Sequence, residues 1–216
     1  MTPYLLLLSI PAFLSMSYRK QDIGIELFIV FLIYVVFVGC RDEVGPDWYT
    51  YAYTHDSLRG QDIKEIALHS EPLSFLLFWI SENYDFEMTL TNICAAAIML
   101  FGICSFSRLT VNPWLAIVAA TPYLIIAFGM SGIRQGMGVG VILFVFSKWN
   151  KLSLIHRISG IVVASMFHSS AVICIIFIVY SWPHVKPKTQ ILIRIVSIPV
   201  IGLLNIISIN QAAVNY

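Results

Sequence analysis

The chain has 216 residues, of which 58% are hydrophobic and 12% charged, and its mean hydropathy is +0.82. Because soluble domains carry about 25% charged residues, this composition excludes an ordinary soluble domain and predicts a polytopic membrane protein. The net charge of +1 and the lack of a basic stripe predict no binding to nucleic acid. The four cysteines are scattered through apolar runs without a CxxC pair, which predicts buried thiols rather than a zinc or redox site.

Long apolar runs recur along the chain and predict a single all-α integral-membrane domain, residues 1–216, with roughly seven transmembrane helices. The predicted spans are Pro3–Met16, Ile23–Cys40, Thr89–Phe106, Trp114–Phe128, Gly136–Trp149, Ile158–Ser181 and Ile191–Ile209. The run Pro72–Ser81 is too short to cross, so we expect a re-entrant or interfacial helix that opens with proline. The first run lacks a preceding basic region and predicts a retained helix rather than a cleaved signal.

The basic loops predict the orientation of the chain in the membrane. If Pro72–Ser81 does not span, the basic residues at Arg19-Lys20, Arg108 and Lys148–Arg157 all fall on one side, which the positive-inside rule places in the cytoplasm. The N-terminus, the polar loop after the second span and Arg134 then face outward. Any chemistry there would take place away from ATP and nucleotide sugars.

The most polar stretch of the chain follows the second predicted span, from Arg41 to Tyr51. It is compatible with a site for a charged headgroup or a sugar, and equally with a solvated loop whose aromatic residues anchor the membrane interface. Asp47 in this loop and Glu71 before Pro72 are each compatible with capping a helix or with acting as a general base. Glu71 is also compatible with pairing to an arginine.

Arg134 and His168 lie beside or within predicted apolar helices. A guanidinium flanked by glycines at a helix start can bind a phosphate or carboxylate closely, but an arginine can also snorkel from a helix end. His168 is compatible with a base, an acid, a hydrogen-bond donor or a satisfied structural group. The glycines that follow Arg134 are compatible with tight helix packing. The acidic spacings match no calcium loop, so we predict no metal site.

The order of these motifs resembles the EpsG family, bacterial polysaccharide-polymerase-like membrane proteins grouped with the Wzy-type O-antigen and exopolysaccharide polymerases. The motifs are Arg41…Gly45…Asp47-Trp48…Tyr51, Glu71-Pro72-Leu73, Gly132-Ile133-Arg134-Gln135 and His168-Ser169-Ser170-Ala171. The chain departs from the family pattern at Gly136-Met137-Gly138, where an apolar residue and alanine are usual. It also ends at Tyr216, where members typically continue, so a short or C-terminally truncated member is expected.

The resemblance implies a nucleotide-independent glycosyltransferase that needs no cofactor. Its substrates would be oligosaccharide repeat units on undecaprenyl diphosphate, joined at the periplasmic or extracellular face of the bacterial inner membrane, with membrane lipid and other polysaccharide-assembly proteins as further partners. The implied catalytic residues are Asp47 or Glu71 as the base and His168 as an alternative base or orienting donor. The implied diphosphate- and sugar-binding residues are Arg41, Arg134, Gln135, Trp48 and Tyr51.

Other functions remain open at this point. A lipid-linked glycan ligase would use the same phosphate clamp with a different acceptor. A flippase or transporter would favour cations at the bilayer midplane and broken helices in paired halves. A non-catalytic membrane subunit would tolerate loss of Arg134 and His168.

Overall fold

The computed structural model describes residues 2–18 and 23–180, and every regular element in these ranges is helical, which confirms the predicted all-α class for them. The chain divides into two compact units, residues 1–171 and 172–216. The helices are α1 (Thr2–Ser17), α2 (Gly24–Gly39), α3 (Trp48–Ser57), α4 (Ile63–Ala67), α5 (Pro72–Asn83), α6 (Glu87–Ser107), α7 (Pro113–Ala120), α8 (Ile133–Ser147), α9 (Leu154–Phe167) and α10 (Ile176–Tyr180). A π-helical segment covers Thr121–Phe128, and 3-10 segments cover Trp149–Lys151 and Ser169–Ile175.

Polar side chains and prolines set the first residues of several helices. Asn112 Oδ1 accepts hydrogen bonds from the backbone N–H groups of Trp114 at 3.1 Å and Leu115 at 3.2 Å, and a proline occupies the first turn of α7. Pro72 opens α5 in the same way, at a position where no N–H donor is needed. Glu71 therefore lies at the N-cap of α5.

Helix α6 packs backbone to backbone against its two main neighbours, α2 and α8. A Cβ added at Gly39 in α2 would lie 2.7 Å from Ile93 Cα, and one added at Gly102 in α6 would lie 1.9 Å from the carbonyl oxygen of Gly140 in α8. Only glycine fits such approaches. The structure thus explains Gly140 by helix packing, one of the roles that the sequence left open.

The three central helices define two ends of the helical assembly. Helix α2 runs antiparallel to α6, because its last residue, Gly39, lies against Ile93 near the start of α6. Helix α8 runs parallel to α6, and Arg108 and Lys148, which follow the two helices, line one groove. We call the end where α2 finishes and α6 and α8 begin the site end, and the opposite end, at Arg108 and Lys148, the basic end.

The helix lengths bear on the predicted spans. Within the described residues, α6 alone, with 21 residues, is long and apolar enough to cross a membrane, and the other apolar helices have 10–17 residues. The prediction of about seven spans therefore stays a prediction, and its last span, Ile191–Ile209, lies outside the described residues. A short helix is present at the predicted Pro72–Ser81, since α5 has 12 residues and is about 18 Å long.

The prediction that His168 lies within one continuous helix, Ile158–Ser181, is wrong within the described residues. Helix α9 ends at Phe167, and His168 is extended, with φ −152° and ψ 119°. The N–H of the next residue, Ser169, donates to Glu71 Oε1 at 2.9 Å instead of continuing the α-helical pattern. Apolar composition alone did not indicate the break, because the partner that satisfies this N–H lies 98 residues earlier in the chain.

Candidate active site

A buried carboxylate, Glu71, forms the centre of the candidate site. Its Oε2 accepts a hydrogen bond from Arg134 Nη1 at 2.7 Å. Its Oε1 accepts from the Ser169 backbone N–H at 2.9 Å and from the Ser169 hydroxyl at 3.2 Å. His168 Nδ1 lies 2.8 Å from the same oxygen. We call these four residues the Glu71 cluster; both carboxylate oxygens are occupied.

Three separate features of the fold bring the Glu71 cluster together. Glu71 precedes the proline that opens α5, and Arg134 lies in the first turn of α8. His168 and Ser169 come from the break after α9. Gly138 lets the break approach α8, since a Cβ added there would lie 3.2 Å from His168 Cβ.

The surroundings of Glu71 keep it ionised. Burial of its side chain raises the pKa, but contact with His168, the Ser169 N–H bond and the charge of Arg134 together lower the pKa to about 2. At neutral pH the group is therefore an anion that accepts a proton poorly.

Arg134 has one side committed to Glu71 and another in contact with aromatic rings. Its guanidinium carbon lies 5.9 Å from the ring centroids of both Tyr51 and Phe75, a distance typical of cation–π contact. The side chain is 34% exposed. A guanidinium has five N–H donors, so this arginine is fixed in orientation and still has donors for an anionic ligand.

A cavity of about 440 Å³ lies at the start of α8, and its described lining includes the chain neighbour of Arg134 but none of the four residues of the Glu71 cluster. Gln135, next to Arg134 in the chain, lines it together with Asp47 and Ser131. Asp47 Oδ2 accepts a hydrogen bond from the Ser131 hydroxyl at 3.1 Å. Tyr123 and Phe128 also line the cavity, with ring centroids 5.0 Å apart in an edge-to-face pair. Carboxylate, amide and aromatic groups in one cavity suit a polyhydroxylated ligand.

The loop that carries Asp47 reaches this cavity through a glycine. Gly45 has φ +108°, and a Cβ there would lie 2.1 Å from the Met130 carbonyl oxygen. Any other residue would be strained in conformation and would clash with the facing loop. Gly45 therefore sets how closely the Asp47 loop approaches the loop before α8.

The remaining predicted site residues lie further inside the protein. Arg41 is 8% exposed and donates to the Val38 carbonyl at 2.8 Å, while its Nε has no hydrogen-bond partner among the described residues. Burial lowers the pKa of Arg41 to about 10, and nearby Tyr51 opposes this change. Tyr51 itself is buried and packs edge-to-face on Phe78. Trp48 is half-buried and packs on the same apolar cluster, and the sugar-stacking role of both rings stays a prediction.

Several residues around the site were not singled out in the sequence. Ser131 precedes the Gly132 motif and was not singled out, and Ser169 belongs to the His168 motif but was given no role. Tyr123 follows Pro122, which lacks the N–H that an α-helix needs, and the helix widens to the π form there. π-Helical segments are frequent at functional sites.

A second ionic cluster surrounds another buried glutamate, Glu82, in the last turn of α5. His55 Nδ1 lies 2.5 Å from Glu82 Oε2, and Arg59 pairs with Oε1. His55, Asp56 and Glu82 have ligand atoms close enough to hold a metal ion. Arg59 already neutralises Glu82, which disfavours a cation there, and we assign none.

Comparison with known proteins confirms the resemblance seen in the motifs. The profile of the EpsG family matches residues 25–215, and the chain belongs to this family. The matched range includes the Glu71 cluster and nearly all of the cavity lining. Searches of curated proteins and of solved structures give no match. Membership of the family suggests a polysaccharide polymerase-like membrane protein.

Proposed function

We propose that this EpsG-family chain is a membrane glycosyltransferase that joins undecaprenyl-diphosphate-linked repeat units on the outer face of the bacterial cytoplasmic membrane. The observation that carries the proposal is the Glu71 cluster, which orients Arg134 at the start of α8, where the next residue, Gln135, lines a cavity together with Asp47. The site combines a fixed cation with a carboxylate open to a ligand, and glycosyl transfer from a diphosphate requires both.

The proposed reaction needs no nucleotide and no cofactor. A hydroxyl oxygen of the acceptor sugar attacks the anomeric carbon of the donor glycan. The bond between that carbon and the diphosphate oxygen breaks, and undecaprenyl diphosphate leaves with the bonding electron pair. The hydroxyl proton passes to a carboxylate of the protein. The transition state thus places negative charge on the diphosphate, where positioned donors stabilise it most.

Arg134 is the proposed ligand of the diphosphate. Glu71 holds one Nη, and the rings of Tyr51 and Phe75 lie beside the guanidinium, so the remaining donors need little reorganisation to bind an anion. Arginine suits this role because its planar fork matches phosphate oxygens in pairs. Arg41, which is buried and donates to the Val38 carbonyl in the last turn of α2, has a supporting role in this proposal.

Of the two candidate bases, we favour Asp47 over Glu71. Glu71 has both oxygens occupied and a pKa lowered to about 2, which suits it to hold Arg134 rather than to accept a proton. Asp47 is exposed at the cavity and keeps Oδ1 outside its bond to Ser131. In this arrangement Gln135 contacts a sugar hydroxyl, and His168 orients Glu71.

The direct test is deletion of the gene in its host, followed by sizing of the surface glycan. We expect single repeat units in place of a ladder of lengths, restored by wild type but not by Arg134→Ala. Arg134→Lys, which keeps the charge and loses the fork, should restore only short chains. Lys64→Ala removes an exposed cation of α4 and should restore the full ladder.

Immunoblots of membrane fractions control for protein level in that experiment. If Arg134→Ala is present at the wild-type protein level and gives a normal ladder, Arg134 is not the residue that binds the diphosphate. An unchanged ladder after gene deletion would contradict the polymerase assignment and favour an accessory subunit. A ligase would instead leave the ladder on the lipid carrier, unattached to its final acceptor.

One observation favours a second candidate, a transporter of lipid-linked glycans. The break between α9 and the 3-10 segment at His168 is a discontinuous helix of the kind that forms substrate sites in transporters. If the chain is a transporter, deletion of its gene should leave no repeat units on the outer face. If it is a polymerase, single repeat units should still reach the outer face after the deletion.

A further inference from the structure

A groove at the basic end, far from the Glu71 cluster, has the composition of a lipid site. It lies between α2, α6 and α8 and has a volume of about 560 Å³, within the range of ligand sites. Its walls are apolar and mostly aromatic, formed by Leu27, Phe28, Phe31, Phe101 and Phe144. All but Leu27 of these side chains are partly or fully exposed, so the walls are open to an occupant.

Two cations line the same groove where α6 and α8 end. Arg108 and Lys148 are exposed, and neither side chain has a hydrogen bond or ion pair within the described residues. No carboxylate is among the described residues that line the groove. Ten of the 12 carboxylates fall between residues 42 and 87. Glu26, in the first turn of α2, lies at the basic end but is not among the residues that line the groove. The groove thus joins an apolar wall to a rim that has two cations and, among the described lining residues, no carboxylate.

We propose that this groove binds an anionic phospholipid, with an acyl chain against the phenyl rings and the headgroup phosphate at Arg108 and Lys148. A free phosphate would gain nothing from the aromatic wall, and a neutral lipid would gain nothing from two cations. Basic pockets between membrane helices bind anionic headgroups on the cytoplasmic side, the side on which the positive-inside rule places this end. The site is independent of the proposed glycosyl transfer.

The test measures lipid binding to the purified full-length chain in detergent by native mass spectrometry. Phosphatidylglycerol and phosphatidylcholine of identical acyl chains are titrated separately. We expect preferential retention of phosphatidylglycerol by wild type, and a loss of affinity of about fivefold for each cation replaced in Arg108→Gln and Lys148→Gln. Lys151→Gln is the matched control, since it removes a charge at the same end outside the groove, and its affinity should stay within about twofold of wild type.

A second variant tests the apolar wall, and gel filtration verifies that each protein is folded. Phe144→Ala should weaken binding of both lipids while preserving the preference for phosphatidylglycerol. Equal affinity of the wild type for the two lipids, or unchanged affinity for phosphatidylglycerol in both Arg108→Gln and Lys148→Gln, would overturn the proposal. An equal loss in Lys151→Gln would mean diffuse attraction by charge instead of a site. Tighter binding of undecaprenyl phosphate than of phosphatidylglycerol would also overturn the proposal and identify the carrier lipid as the occupant of the groove.

Discussion

Two buried glutamates at opposite ends of α5 have the same kinds of partner, yet only one belongs to the candidate site. Each is 4% exposed and contacts one arginine and the Nδ1 atom of one histidine. The two sets are Glu71 with Arg134 and His168, and Glu82 with Arg59 and His55. Together they connect the start of α5 to α8 and α9, and its end to α3.

The two clusters differ in what surrounds the arginine. The side chain of Arg134 is 34% exposed and lies beside two aromatic rings, and the next residue in the chain, Gln135, lines a cavity, whereas the side chain of Arg59 is 70% exposed. Glu71 also joins residues 63 and 98 positions away, while Arg59 is 23 positions from Glu82. The pairing alone therefore does not define a site. A partly shielded cation whose chain neighbour lines a cavity does, and the predictions test this difference.

The largest expected difference is between the two arginines. Arg134→Ala should lower the rate of chain elongation by about 100-fold or more, the usual effect of removing a group that stabilises transition-state charge. Arg59→Ala should leave the rate within about twofold, because its side chain is exposed, pairs with Glu82 instead of Glu71 and lies outside the cavity lining. Elongation in membrane vesicles, normalised to protein level, measures both. Equal losses would mean that each arginine acts only through stability.

The pH dependence of stability should distinguish Glu71 from an exposed carboxylate. Its folded-state pKa is lowered to about 2, while unfolded glutamate titrates near about 4.3. The stabilisation is therefore fully present above about pH 4.3 and is lost as the pH falls toward 2, by an amount on the order of 3 kcal/mol. In Glu71→Gln this part of the acid dependence should vanish, whereas the exposed Glu65→Gln should keep the wild-type slope. Thermal unfolding midpoints in detergent from pH 6 to 3 would show it, and parallel slopes for wild type and Glu71→Gln would contradict the account.

A glycine pair tests the cavity at the start of α8. Gly45→Ala should lower elongation about tenfold, because the added Cβ forces the Asp47 loop away from the Met130 carbonyl, a clash of the size that costs about 1–3 kcal/mol. Gly60→Ala is the matched control: its φ is also positive, at +72°, but a Cβ there meets nothing within 4 Å. If the two variants give the same rate of glycan elongation, backbone strain alone, and not the clash with Met130, would explain the lower rate.

The smallest expected effect is at the contact between α8 and the broken helix. In Gly138→Ala the new Cβ would lie 3.2 Å from His168 Cβ, so His168 must shift by a few tenths of an ångström. We expect a two- to fivefold fall in elongation, which is about 0.4–1 kcal/mol in activation free energy. The unfolding midpoint should change little, since alanine favours the helix over glycine by up to about 1 kcal/mol. A fall in the midpoint with unchanged activity would assign Gly138 to packing alone.

Composition and periodicity predicted the helical class and placed the short helix after Glu71. Proline at a first helical turn and the length of the apolar run were sufficient for that helix. The same reasoning predicted one helix through His168, because an apolar run does not reveal where a backbone N–H finds a distant acceptor. Pro122 was visible in the sequence, but the widening to a π-helix depends on local geometry.

The motifs predicted most of the residues at the candidate site but not their arrangement. Pairing of Glu71 with an arginine was one of the alternatives, and the structure identifies Arg134 as the partner. Trp48 and Tyr51 were expected to stack on sugars, and the local sequence did not show that both rings would pack on one apolar cluster. The catalytic and binding roles of all these residues stay predictions.

The central claim is that Arg134, oriented by Glu71, supports the departure of undecaprenyl diphosphate. The most direct measurement uses the purified chain in proteoliposomes, with a lipid-linked repeat unit as both donor and acceptor and no nucleotide present. Product length and released undecaprenyl diphosphate are measured together for wild type, Arg134→Ala and Arg59→Ala. The account predicts one diphosphate released for each new glycosidic bond in wild type and Arg59→Ala, with neither product from Arg134→Ala. Elongation by Arg134→Ala at the wild-type rate, or release of diphosphate without elongation in wild type, would contradict it.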